Sequence, residues 1–159
     1  MNHSGIEIRT ASADEASEIA AVLSESFIEY QPLYTEAGYA ATTPPSDQLK
    51  QRMNEGPLWV AVLERVVGTV SAVPKDKDLY IRGMAVLPSV RGQKVGELLL
   101  QVIETYAAEN GFQKLILSTT PFLDRAIRLY ERFGFVRSDD GPHDLFGTPL
   151  FSMEKHLGS

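Results

Sequence analysis

The chain has 159 residues, 43% apolar and 23% charged, with a formal net charge of −6 at neutral pH and no cysteine. That length and balance predict one soluble globular domain over residues 1–159. The negative charge speaks against nucleic acid as a partner, and the missing cysteine excludes disulfides, thiolate catalysis and cysteine-held metals. No apolar run reaches the roughly 20 residues of a membrane span and no signal-peptide pattern opens the chain, so a cytoplasmic protein with no membrane partner is expected.

Residues 6–9 read as a short strand. Ser12 with Glu15 forms a capping-box pattern, after which Ala16, Ile19, Ala20, Leu23 and Phe27 recur at helical spacing. Residues 31–45, rich in Tyr, Thr, Gly and Pro, read as a loop with room for a short helical turn. Pro44-Pro45-Ser46-Asp47 opens a second helix, with Leu49 and Met53 on its apolar side and Gly56-Pro57 closing it. Residues 58–63 and 66–73, split by Glu64-Arg65, give a hairpin signal, and a turn over 74–78 leads into a third strand over 79–86. After Pro88 a glycine-bearing turn enters a helix with Val95, Leu98, Leu99, Val102 and Tyr106 on one face and Gly111 as its stop. Residues 114–118 read as a strand buried on both faces. Pro121 and Asp124 open a helix with Ala126, Ile127, Tyr130 and Phe133 inward, ended by Gly134. Phe135-Val136 begins another strand, 138–144 is a loop, and 149–154 is the last strand. This order predicts an α/β fold of mixed pairing with one or two parallel crossovers.

The chemistry concentrates in Arg91-Gly92-Gln93-Lys94-Val95-Gly96-Glu97. A strand, glycine turn and helix start aim backbone N–H groups and the positive end of a helix dipole at one point, an anion site suited to a cofactor pyrophosphate. The phosphate and dinucleotide motifs G-x-x-x-x-G-K-S/T and G-x-G-x-x-G are both absent, which disfavours phosphoryl transfer and nicotinamide chemistry. His3 and His156 lie near the ends, and His143 among Asp139, Asp140 and Asp144 reads as a solvated loop, so no metal is expected. Ser118-Thr119-Thr120 has no partnered histidine, which leaves a serine nucleophile without support.

The run from Met84-Ala85-Val86 through Gly96 resembles the pyrophosphate loop (Arg/Gln-x-x-Gly-x-Gly/Ala) of the GNAT N-acetyltransferase superfamily. Arg125-Ala126-Ile127-Arg128-Leu129-Tyr130-Glu131-Arg132-Phe133-Gly134-Phe135 is similar to the helix carrying that family's thiolate-protonating tyrosine. The closing Met153-Glu154-Lys155 matches as well, and the resemblance covers residues 6–157. It implies a GNAT-like, mostly antiparallel sheet flanked by helices, with strands splayed at an acyl-CoA site. It implies acetyl-CoA as donor and no metal, with transfer to a small-molecule amine by direct attack in a ternary complex. Met84, Ala85 and Val86 would serve the oxyanion and the pantetheine arm, and Arg91, Gly92, Gln93, Lys94, Val95, Gly96 and Glu97 the pyrophosphate. Asp124 and Ala126 would line the cofactor beside Tyr130, the general acid. Phe27, Tyr30, Tyr34 and Tyr39 fall where relatives build the acceptor pocket. A non-catalytic acyl-CoA sensing module and acetylation of a protein or peptide amine stay open, and family analogy suggests a homodimer.

Two residues depart from the family pattern. Lys94 replaces the loop's middle glycine, which is harmless if its dihedrals are helical and not if the position needs positive φ. Leu123 stands where relatives often carry a cofactor-contacting asparagine. No carboxylate lies between Leu79 and Gly96 to act as base. At neutral pH about a tenth of α-amines are uncharged, against well under a thousandth of lysine-type amines, so a small α-amino acceptor is expected. Glu29 or Glu36 could serve as base through water. Arg82 is expected either to clamp a substrate carboxylate or to pair with Asp78 or Asp76.

Overall fold

Alternating apolar runs and 3.6-period stretches become, in the computed structural model, five helices around one sheet among the described residues, which are 5–139, 141 and 143–158. His3 and Asp140 lie outside them. The strands are β1 (Glu7–Thr10), β2 (Leu58–Leu63), β3 (Arg65–Lys75), β4 (Asp78–Val86), β5 (Lys114–Thr119), β6 (Val136–Arg137), β7 (His143–Leu145) and β8 (Thr148–His156). Their order is β1-β2-β3-β4-β5-β8-β6, with β7 on β8. Only β4 and β5 run parallel, joined by the crossover helix α4 (Val95–Glu109); the other pairs are antiparallel.

β3 is buried from Val66 to Ala72 without alternation, because helices cover both of its faces. On one side lies α1 (Ala16–Phe27), packed with α3 (Ser46–Met53). On the other lies α4, where Trp59 of β2 meets Tyr106 edge-on at 5.4 Å. Helix α4 buries Val95, Gly96, Leu99, Leu100, Ile103 and Ala107. The expected face through Leu98, Val102 and Tyr106 is therefore only its half-covered shoulder. Counting large apolar residues misplaces the seam, since small Gly96 and Ala107 let the helix approach the sheet closely.

The capping box forms: Glu15 accepts from the Ser12 amide at 2.9 Å while Arg9, at the end of β1, grips both of its oxygens. These donors lower the Glu15 carboxyl to about 2. The stretch expected as loop holds a 3₁₀ segment (Ile28–Leu33) and a helix, α2 (Glu36–Thr42), whose cap Thr35 accepts from the Gly38 amide and donates its own N–H to Thr148 at 2.9 Å. The anchor for α2 is thus far away in sequence. Strand β5 is buried on one face alone; the other carries the Lys114–Glu154 ion pair at 3.0 Å, which needs solvent nearby. The loop expected over 138–144 ends in β7, joined to β8 by Phe146-Gly147, both at positive φ as a two-residue hairpin demands. The helix after Pro121 is α5 (Asp124–Arg132).

Candidate functional site

The site begins where two strands part. β4 pairs with β5 only from Asp78 to Ile81, opposite Lys114 to Leu117. Beyond that, β4 stays paired to β3 alone, with a bulge that sets Arg82 opposite Ser71 and Ala85 opposite Thr69. Leu87 donates to Val67. Val86, opposite Gly68 in the alternate kind of pair, therefore turns its N–H and C=O to the edge that β5 has vacated. A cleft of about 600 Å³ opens there. Met84, Ala85 and Val86 all line it.

The turn after β4 makes the second wall. Pro88–Val90 form one 3₁₀ turn, Gly92 takes φ 88°, and Lys94 takes φ 67° and ψ 22°. Lys94 is thus left-handed, not helical; a lysine occupies a conformation suited to glycine, and the loop closes on it nonetheless. The amides of Gly92, Lys94, Val95, Gly96 and Glu97 donate to no backbone or side-chain acceptor among the described residues, and the last three open α4. Their residues all line the cleft with Arg91, whereas Gln93 is exposed and outside the lining. Packing at Gly96 is close: a Cβ there would lie 2.7 Å from Leu129 Cδ2 and 3.3 Å from Met84 Cε, so those two side-chain ends would have to shift, and α4, α5 and β4 meet at this point.

Helix α5 brings Ala126 and Tyr130 to the cleft, while Asp124, its first residue, is exposed and does not line it. Leu123 lines the cleft and precedes α5 without a side-chain cap. Tyr130 is 8% exposed and packs on Phe135 at 5.8 Å. Burial drives its phenol well above its ordinary value, with the Tyr34 and Tyr80 phenols adding to the effect. Its hydroxyl has no hydrogen-bond partner among the described residues.

Opposite stand Phe27, Tyr30 and Tyr34, all on the lining. Tyr34 meets Phe122 edge-on at 4.9 Å and Tyr39 at 5.9 Å. Tyr39 supports this wall from behind. Arg82 lines the cleft, but its partner is Glu55, beyond α3, and neither Asp78 nor Asp76; the bulge turns Arg82 toward α3 and away from the β3–β4 turn. Glu29 is held by Arg91 at 2.5 Å, and neither Glu29 nor Glu36 is on the lining. Arg52 also lines the cleft and escapes sequence reasoning, since a cation in the last turn of a helix reads as a dipole partner.

The described lining carries six cations (Arg52, Arg82, Arg91, Lys94, Arg125 and Arg132) against one carboxylate, Glu97, itself 3.6 Å from Arg132. An acidic chain has thus gathered a positive cleft, which concentrates anionic ligands. No cluster of three or more His, Cys, Asp or Glu side chains suited to a metal occurs among the described residues, and no described helix is long and apolar enough to cross a membrane.

Residues 20–135 match the family model of the acetyltransferase (GNAT) family. The chain is 35% identical over 134 residues to a probable N-acetyltransferase, camello, of Xenopus laevis, covering 78% of this chain and 58% of that protein. It is 32% identical over 139 residues to an uncharacterized N-acetyltransferase, YjgM, of Escherichia coli, with 83% of each covered. Over 102 residues it is 36% identical to an N-acetylaspartate synthetase of Xenopus tropicalis, covering 62% of this chain and 38% of that protein. The chain thus spans little more than half the length of the camello protein and of other curated N-acetyltransferases it matches. Its backbone matches the PaiA N-acetyltransferase of Thermoplasma acidophilum, solved with coenzyme A, at a TM-score of 0.83 and 19% identity, covering 96% of this chain and 99% of that one. The glycine turn and the whole Tyr130 helix segment fall inside the matched residues, and the chain belongs to the acetyltransferase (GNAT) family.

Proposed function

We propose that this protein is an N-acetyltransferase that uses acetyl-CoA to acetylate the amine of a small molecule in a ternary complex. The observation that carries this reading is the meeting, in one cleft, of an open β4 edge with five amides and a buried tyrosine hydroxyl that have no partner among the described residues. The residues fit the donor. The amides of Gly92 and 94–97, with Arg91 and Lys94, suit a pyrophosphate. The Val86 C=O, left unpaired by β5, can accept from an amide-rich pantetheine arm. Acetyl-CoA supplies an acetyl group activated as a thioester.

The chain's own residues then have three tasks. The Val86 N–H, fixed by the β3 ladder, is a preorganised donor for negative charge growing on a carbonyl oxygen. Burial disfavours the phenolate, so Tyr130 keeps its proton on the phenol oxygen and can present it to a sulfur gaining charge. The same burial makes the phenol a weaker acid, so the driving force for transfer is the charge on that sulfur, which the apolar surroundings disfavour as well. The amine must be neutral to attack, and the cationic lining disfavours its protonated form, which lessens the need for a carboxylate base. Thermal-shift measurements with acetyl-CoA, ATP and NAD test the donor, since a ligand of the native state raises Tm. Tyr130→Phe tests the acid: turnover should fall about 100-fold, within the range for a general acid, while CoA affinity holds. Unchanged turnover would discard that role.

A further inference from the structure

Ser26 Oγ and Arg82 Nε are buried side-chain polar atoms without a hydrogen-bond partner among the described residues, Thr120 Oγ1 has at best a poorly formed bond with the Tyr34 phenol, and all three residues line this cleft. Buried polar atoms are nearly always satisfied, so orphans gathered in one place mark where a ligand's polar atoms go. One of them belongs to a guanidinium with a second guanidinium beside it. Arg52 Nη1 lies 3.1 Å from where a Cβ on Gly83 would stand, so glycine at the β4 bulge gives Arg52 its room beside Arg82. Arg52 has no ion pair or side-chain hydrogen bond among the described residues. Burial, and then the Arg82 charge, lower its pKa, with Glu55 only partly compensating. Two like charges held in partly dry surroundings are unfavourable until anions arrive.

Glu55 shows what such an anion looks like: an exposed carboxylate reaching in to seat on Arg82 Nη2. The one carboxylate here serves Arg82 and leaves Arg52 without a partner, and each planar guanidinium fork suits a carboxylate of its own. We propose that Arg52 and Arg82 together seat two acid groups of the acceptor, so that the amine acetylated is an amino dicarboxylate, with Glu55 as the placeholder that one acid group displaces. This rests on the acetyltransferase reading of the same cleft. Arg52, Tyr80, Arg82 and Tyr130 all line the one cleft, so the acid-binding end and the proposed proton donor open on the same space. Ser26 and Thr120 remain as neutral partners for the rest of the molecule.

The test is steady-state acetyl transfer to aspartate, glutamate, asparagine, glutamine, alanine and isopropylamine. Aspartate or glutamate should exceed its own amide in kcat/KM by about 30-fold, the scale of one charge-assisted carboxylate contact. Arg52→Gln should collapse that ratio toward one through KM, with thermal unfolding and CoA binding confirming that the variant is folded. Glu55→Gln should instead lower KM for the dicarboxylate several-fold, a gain that general damage to the fold does not produce. Equal use of aspartate and asparagine, or a Glu55→Gln variant with raised KM, overturns the proposal. Acetylation of isopropylamine with none of the amino acids would overturn it and leave the acetyltransferase reading standing, whereas a failure to bind acetyl-CoA would remove both.

Discussion

Lys94→Gly tests a cleft position where the sequence and the backbone disagree. Lys94 sits at φ 67° and ψ 22° with an exposed side chain, so its replacement removes no packing. An L-residue in the left-handed region is disfavoured by about 1–2 kcal/mol. Glycine relieves that strain but loses about 0.5–1 kcal/mol through the greater freedom of the unfolded chain. The net expectation is a gain of about 0.5–1 kcal/mol, which for a domain of this size raises Tm by about 1–4 °C. Lys94→Ala is the control, because it removes the charge and keeps the strain, and its Tm should stay near that of the original. Urea unfolding followed by circular dichroism, with thermal scans, reads both variants. A Lys94→Gly protein less stable than Lys94→Ala would refute the reasoning, since the left-handed backbone would then not be strained. The same pair separates charge from backbone in cofactor binding. Both variants keep the residue-94 amide, so any affinity they lose in common belongs to the ammonium and should shrink as salt is raised.

Three further outcomes follow from the geometry. Gly96→Leu should destabilise by about 1–3 kcal/mol, because its Cβ alone would lie 2.7 Å from Leu129 Cδ2; an unchanged urea midpoint would mean that α4 and α5 are not locked together there. Glu29→Gln should tighten coenzyme A binding about two- to fivefold by calorimetry, since the pyrophosphate no longer competes with Glu29 for Arg91, and weaker binding would count against that competition. Glu15, lowered from 4.5 to about 2, contributes stability that is fully present above pH 4.5 and lost as pH falls through about 2. Solvent screening holds that contribution to about 1 kcal/mol, so the original protein and Glu15→Gln should differ above pH 5 and converge near pH 2; a gap that widens in acid would reverse the sign.

Local rules account for much of what the sequence determined. Ser12 and Glu15 place a helix start, Glu64-Arg65 a hairpin, and the glycine turn before Val95 an anion cradle, because caps, turns and periodicity depend on neighbours within a few residues. The resemblance in the turn and in the Tyr130 helix named the family that the comparison then bore out. The rest needed contacts between distant segments. Helix α2 exists because Thr35 meets Thr148, more than a hundred residues on, and no local period announces that. Lys94 reads as a tolerable substitution until the path from β4 to α4 forces its φ positive. Arg82 was expected beside Asp76 or Asp78, but a bulge in β4 hands it to Glu55. Arg52 looks like an ordinary helix-end cation until the gap at Gly83 draws it into the cleft. The cleft wall proposed to take the acceptor is assembled from α1, the 3₁₀ segment after it, the last turn of α3 and the bulge of β4, and only the packed chain brings those four together. The proposed grip on the donor is local chemistry on one stretch of chain, and the proposed grip on the acceptor is a property of the tertiary structure.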